Sequence, residues 1–315
     1  MAGLNAKWSG RWQWMLWALI ALSAALGIGY WRFASRPPPA SVAVPGGDGG
    51  GLPRATPEAE GFDAEGMRQV ADYARHSGAQ ALLVTRHAHL VFEHYGAGMD
   101  AQSIVNGGAF AELLAALATG VAVRDYGMNN PRGLPSSDTL AAGIAAASHM
   151  SYPQFLSRNL WQPLNAAVAQ ILLPAANAHA PAGCCLLARP GDWLRLAELV
   201  MADGRFEGTQ VLPAGWALRV QQPGGDDPGR ALGIWLAGSA RGAEPFIAHD
   251  VVFVRGLGQS HLWMAPRQQL AILLIDQRIV DGNSDETRLP NMVFRALRAA
   301  PSGAHQNIGE LVPNH

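Results

Sequence analysis

A chain of 315 residues with 23 Lys and Arg against 24 Asp and Glu carries a net charge of −1 and no basic block, so it lacks the electrostatic footprint of a nucleic-acid-binding protein. With 49% hydrophobic and 15% charged residues, it has the composition of a folded domain with a sizeable core. The only two cysteines, Cys184 and Cys185, are adjacent, which rules out a disulfide framework. Neighbouring residues fit disulfide Cα geometry poorly, so no bridge is expected between them, and they read as small buried apolar residues.

Residues 1–11 hold Lys7 and Arg11 and read as a cytoplasmic N-terminus. Residues 12–31 contain no charge, about the twenty residues that a helix needs to cross the hydrocarbon core. Trp12, Trp14, Tyr30 and Trp31 stand at the two ends, as interfacial aromatics do. The span is longer than a signal-peptide core and has no clean small-x-small site after it, so it predicts an uncleaved anchor. Arg32 and Arg36 beyond it nearly balance Lys7 and Arg11, so charge alone leaves the orientation open. Residues 32–58, rich in proline and then glycine, read as a linker to a globular domain over 59–300, with a loose tail over 301–315.

Asp63 is placed to cap a helix carrying Met67, Val70, Ala71 and Ala74 and stopped by Gly78. Ala81–Arg86 and Leu90–Tyr95 read as two strands joined by a tight turn. Phe110, Leu113, Leu114, Leu117 and Val121 form a helical stripe. Another helix starts near Asp138, and Tyr152–Leu164 is helical in part. Pro190-Gly191-Asp192 opens a helix closed by Gly204, and Pro213–Val220 gives a short one. Strands are predicted at Leu232–Leu236, Phe246–Val254, His261–Met264 and Leu270–Ile275, and a last helix at Met292–Ala299. This order predicts an α+β fold, one antiparallel sheet with helices on its faces.

The local words point further. Cys184-Cys185-Leu186-Leu187-Ala188-Arg189-Pro190-Gly191-Asp192-Trp193, with Asp203-Gly204-Arg205-Phe206 after it, resembles a stretch of the β-lactamase and penicillin-binding-protein family, in its esterase and aminohexanoate-oligomer hydrolase branch. Val91–Gly96 and Leu160-Trp161-Gln162-Pro163-Leu164 resemble the same family, over about residues 57–280. The resemblance implies a sheet flanked by helices and a serine nucleophile that opens a helix as Ser-x-x-Lys, two positions that a helix puts on one face. Aligned without gaps, that tetrad is Ala109-Phe110-Ala111-Glu112, a methyl group for the serine and a carboxylate for the lysine. The family's proton-shuttling Tyr-x-Ser matches Leu134-Pro135-Ser136, so the hydroxyl remains and the phenol is lost. Ser136 and Asp138 also read as helix caps. The glycine-rich turn that closes the family's pocket matches Gly256-Leu257-Gly258-Gln259 and looks intact.

Only Arg124–Gly133 lie between the nucleophile helix and the second motif, an interval that the resemblance implies should be several times longer, so a reduced helical lobe and a cleft open to water are expected. Ser103 and Ser136 are the residual nucleophile candidates. His87 and His89 share the spacing of some zinc sites but have no third ligand at a diagnostic distance in sequence, and read as surface residues of a turn. His249-Asp250 is a further acid/base candidate. No cofactor, metal or nucleic acid is implied. The expectation is a single-pass inner-membrane protein with an extracytoplasmic domain. By family that domain is a serine hydrolase, by motif a pseudoenzyme that binds an envelope ligand or protein partner. The alternative is an active hydrolase of esters, amides or peptidoglycan-like substrates with a rearranged nucleophile.

Overall fold

The computed structural model describes residues 15, 17, 39–224, 227–278 and 285–298. The predicted anchor at 12–31, but for two residues, and the tail at 301–315 lie outside them. Among the described residues no helix is long and apolar enough to cross a membrane.

In chain order the elements are β1 (Ser41–Val44), α1 (Ala64–Ser77), β2 (Ala81–Arg86), β3 (His89–Tyr95), β4 (Val105–Asn106), α2 (Phe110–Tyr126), α3 (Ser137–Ser148), α4 (Tyr152–Leu156, continued by a π turn over Ser157–Trp161), β5 (Ala169–Leu172) and β6 (Leu186–Ala188). Then come α5 (Pro190–Met201), β7 (Arg205–Phe206), β8 (Thr209–Gln210), α6 (Trp216–Arg219), β9 (Trp235–Leu236), β10 (Val252–Arg255), β11 (His261–Ala265), β12 (Leu270–Ile275) and α7 (Arg288–Arg295).

The main sheet is antiparallel with strand order β3-β2-β12-β11-β10-β9. Its central strand, Leu-Ala-Ile-Leu-Leu-Ile, is buried along its whole length, which an antiparallel strand requires only when both faces are covered. Alternation sorts the side chains. Leu82, Val84, Phe253, Trp263, Ile272 and Leu274 join the core under α1 and α7, and Leu83, Val254, Leu262, Met264, Ala271 and Leu273 join the larger core with α2 and α5. The β2–β3 turn is His87-Ala88, both left-handed (φ 48° and 63°), the backbone that a two-residue hairpin of matching twist needs. Asp63 caps α1 as predicted, its Oδ1 accepting from the Gly66 amide at 2.7 Å.

Several predicted boundaries move; the strand predicted over Leu232–Leu236 is only Trp235–Leu236, and the helix predicted over Pro213–Val220 only Trp216–Arg219. The linker reading of 32–58 fails from residue 41 on, where β1 pairs with β5 and the next glycines lie on the chain at 165–167. A Cβ at Gly46 would overlap the Ala166 carbonyl, so this glycine allows close backbone approach. The strand predicted over Phe246–Val254 starts only at Val252, because residues 245–247 bond to Asn291 of α7 instead. The Ile247 amide donates to Asn291 Oδ1 at 2.9 Å, and Asn291 Nδ2 donates to the Pro245 carbonyl at 2.8 Å. The last helix is Arg288–Arg295 rather than Met292–Ala299.

A second antiparallel sheet, β1-β5-β6-β4, was not foreseen. It carries the chain from α4 past the start of α2 to α5. The connection from α2 to α3, residues 127–136, is ten residues without helix or strand.

Candidate functional site

The start of α2 is fixed by two glycines. Gly107 lies so close to the buried Trp193 indole that any Cβ would enter the ring. Gly108, at φ 56°, sits against the Leu257 backbone, whose nitrogen is 2.7 Å from where its Cβ would be. The helix therefore begins wedged between α5 and the β10–β11 turn, with Ala109 at its N-cap position. That turn is the Gly256–Gln259 element. The Gly256 amide donates to Ser260 O at 2.7 Å and the Gln259 amide to Asp276 O at 2.7 Å. The ring of Phe110 lies 2.8 Å from where a Cβ on Gly256 would be, so the turn closes over the helix start.

Between Phe110 and Ala122 every residue of α2 but Glu112 is buried, the signature of a helix packed on all sides. Glu112 is the only charged residue before Arg124. It faces a cavity of about 680 Å³ that Leu134, Ser136, Ser137, Gly183, Cys184 and Arg230 also line. Within the cavity Glu112 is ion-paired with Arg230, the two side chains 34% and 41% exposed, and the Arg230 guanidinium lies 5.0 Å from the centre of the Trp235 ring. Gly233 seats this loop on the helix, since its Cβ would lie 2.7 Å from the Glu112 carbonyl.

Thus Glu112, Leu134 and Ser136 converge on one cavity, with Ala109 one helical turn away through the Glu112 amide to Ala109 carbonyl bond of 2.9 Å. Gly256 packs on Phe110 at the helix start, Gly258 lies against Asp276 and Gln277, Gln259 lines a different cavity, and none of the three lines this one. Ser136 holds the N-cap position of α3, but its hydroxyl donates to Thr139 Oγ1 at 2.8 Å rather than capping the helix. Ser103 is elsewhere, donating to Asp100 Oδ1 and accepting from the Asp100 amide, both at 2.9 Å, inside a tight turn.

The expectation for the cysteines is overturned. Cys184 and Cys185 are joined in a disulfide between adjacent residues, and both are half-buried rather than core. The ring closes because the backbone reverses here, with Gly183 at φ 79° and Cys185 at φ 65°. His87 and His89 both point Nδ1 at the Glu60 carboxylate, at 2.6 and 3.0 Å. No metal-binding cluster of His, Cys, Asp and Glu occurs among the described residues. Asp250 is held by the Arg267 amide at 2.7 Å.

No protein-family model and no curated protein matches the chain in sequence. Solved structures do match. A protein of Bacillus anthracis assigned as a 6-aminohexanoate-dimer hydrolase superposes with a TM-score of 0.61 at 14% identity, over 82% of this chain and 90% of its own. A β-lactamase from Mycobacterium bovis gives 0.55 at 14% identity over 74% and 98%. A penicillin-binding-protein homologue from Caulobacter crescentus gives 0.57 at 10% identity over 78% and 100%. The fold is that of the β-lactamase-like serine hydrolases.

On this β-lactamase-like frame, sequence reasoning missed Arg230, Gly183 and Cys184 as members of the cavity. Arg230 lies in the turn-forming run Pro223–Gly233, where no periodicity marks a side chain as inward. The cavity wall formed by Gly183 and Cys184 was concealed by a paired-cysteine word read as core; the Gly-Cys-Cys run before a short strand was the available signal.

Proposed function

We propose that this chain is a membrane-tethered β-lactamase-like domain that performs no acyl-enzyme chemistry and is retained for binding in the cell envelope. One observation carries the reading. At the start of α2 the residue that the family reading aligns with the nucleophile is a methyl group, and the one it aligns with the base, one turn on, is a carboxylate held by Arg230. An acyl intermediate needs an oxygen or sulfur nucleophile with a base in hydrogen-bond reach, and Ala109 has neither. Leu134 supplies no phenol to relay a proton. Ser136 bonds to the Thr139 hydroxyl, which is no base, and Ser103 donates to the Asp100 carboxylate in an exposed turn outside the cavity lining, where the hydrogen bonds from Ser103 and the Gln102 amide hold that carboxyl below the usual range and weaken it as a base.

What remains suits recognition. The cavity is in the size range of small-molecule sites, with apolar walls from Ala115, Leu140 and Leu232 and a few polar groups that could fix an orientation. Glu112 and Arg230 offer opposite charges side by side, and each is exposed enough to exchange its partner for a ligand group. The uncharged span at 12–31 supplies the tether.

The deciding experiment is intact mass of the full-length chain after a fluorophosphonate and, separately, after penicillin-type and simple ester substrates. No adduct and no turnover from folded protein is the expected result. A stoichiometric adduct that disappears in Ser103→Ala or Ser136→Ala would overturn the reading in favour of a rearranged hydrolase.

A further inference from the structure

The Cys184–Cys185 bond sits in the wall of the cleft rather than in the core. Cys184 lines the cavity, and both residues are half-buried. The turn that carries them packs on Glu112 and bonds to Ser137, the residue after the Leu134–Ser136 motif. A Cβ on Gly183 would be 3.8 Å from Cα and Cγ of Glu112, and the Ala182 carbonyl accepts the hydroxyl of Ser137 at the start of α3. On its other side the Cys185 carbonyl accepts the Leu172 amide at 3.0 Å, which ties the turn to β5. Cys185 holds a left-handed backbone, a conformation that side-chain-bearing residues rarely adopt and that needs a local constraint. A ring closed between neighbouring residues is such a constraint, and opening it lets Cys185 leave that region.

We propose that Cys184–Cys185 is a thiol–disulfide exchange site whose oxidation state sets the shape of the cleft. The partner class is a dithiol. Its thiolate attacks Cys184 Sγ, the sulfur-bearing residue that lines the cavity, and the Cys184–Cys185 bond breaks as Cys185 leaves as a thiolate and takes a proton. The second thiol of the partner then attacks its own sulfur in the mixed disulfide, releasing Cys184 as a thiol and closing the partner's disulfide. Two electrons pass to the protein and the partner is oxidised. The released turn no longer holds Gly183 against Glu112 or the Ala182 carbonyl against Ser137. The inference concerns the cleft of the proposed function but does not depend on its being catalytically silent.

The test uses the full-length chain under non-denaturing conditions, alkylated with iodoacetamide before and after dithiothreitol, with peptide masses and amide hydrogen exchange on both forms. Expected are no alkylation before reduction and two alkylated cysteines after it on folded protein. Exchange should rise roughly tenfold at 183–187 and over the first turns of α2 and α3, and return on reoxidation. The Cys184→Ser/Cys185→Ser variant should show the reduced pattern whatever the reductant; if it does not fold, the reversible wild-type cycle decides. Two free thiols without reductant, reduction only after unfolding, or reduction with unchanged exchange would each overturn the proposal.

Discussion

A carboxylate inside a packed helix persists only where some group answers it. On α2 that group is Arg230 for Glu112. On the β10 side, burial pushes the Glu286 carboxyl up, but hydrogen bonds from His261, from Arg255 (2.6 and 2.9 Å) and from the Arg241 amide outweigh it and bring it down to about 2. Glu198 on α5 has a weaker answer. It is 5% exposed and faces β2, where its only side-chain bond among the described residues is from the Thr85 hydroxyl, and burial pushes its carboxyl up to about 7. The sign of its effect follows. Below about pH 4.5 both folded and unfolded chains hold the proton and the penalty is absent. Between there and about pH 7 the folded state binds more protons than the unfolded, so stability falls as pH rises. Glu198→Gln should therefore be more stable than the parent by about 1–3 kcal/mol at pH 8 and indistinguishable from it near pH 4. Urea unfolding at the two pH values checks this, and equal differences at both would sink it.

Among the elements, α2 decides where the site sits, and small residues decide where α2 sits. Gly107 admits Trp193, Gly108 admits the β10–β11 turn, and Gly120 admits Trp216, whose Nε1 donates to the Ala116 carbonyl at 3.0 Å. Gly107→Ala should push the buried Trp193 indole out of its place, lowering stability by about 1–3 kcal/mol and shifting the start of α2. Thermal unfolding and tryptophan fluorescence read both effects, and an unchanged Tm would show the wedge to be slack. The long elements were legible because their pattern is their energetics: α1, α2, α5, β2 and β12 bury stripes or runs that the sequence displays directly. The four-stranded sheet was not, because strands of two to four residues such as Val105–Asn106 are too short to display alternation. At the site, Ala109, Glu112 and Leu134 were named through the family resemblance, and the structure sets Glu112 and Leu134 on one cavity with Ala109 one helical turn away. Arg230 and the disulfide could not be read from the sequence, since both depend on loops brought together by tertiary contacts.

For the whole molecule, the consequential revision concerns where the domain begins. The unit that folds together runs from Ser41, so the stretch between the predicted anchor and β1 is residues 32–40, at most about 30 Å when fully extended. The glycine-rich segment after β1 is also structural. Arg195, buried in α5, donates to the Gly50 carbonyl, to the Leu164 carbonyl at 3.3 Å and to Asp192 Oδ1 at 3.3 Å. Val44 and Leu52 are core residues, and β1 covers the open edge of β5. A chain beginning at residue 59 loses the Gly50 acceptor, Val44, Leu52 and β1. Exposing the Val44 and Leu52 contacts alone forfeits about 1.5–3 kcal/mol each, and Arg195 is left with a buried donor lacking its acceptor. The unpaired β5 edge then becomes a template for association with other chains. We expect a chain starting at residue 39 to be monodisperse with a single cooperative transition, and one starting at residue 59 to aggregate or melt at least 10 °C lower. Equal melting temperatures by calorimetry would show that the segment from 41 to 58 lies on the domain without supporting it.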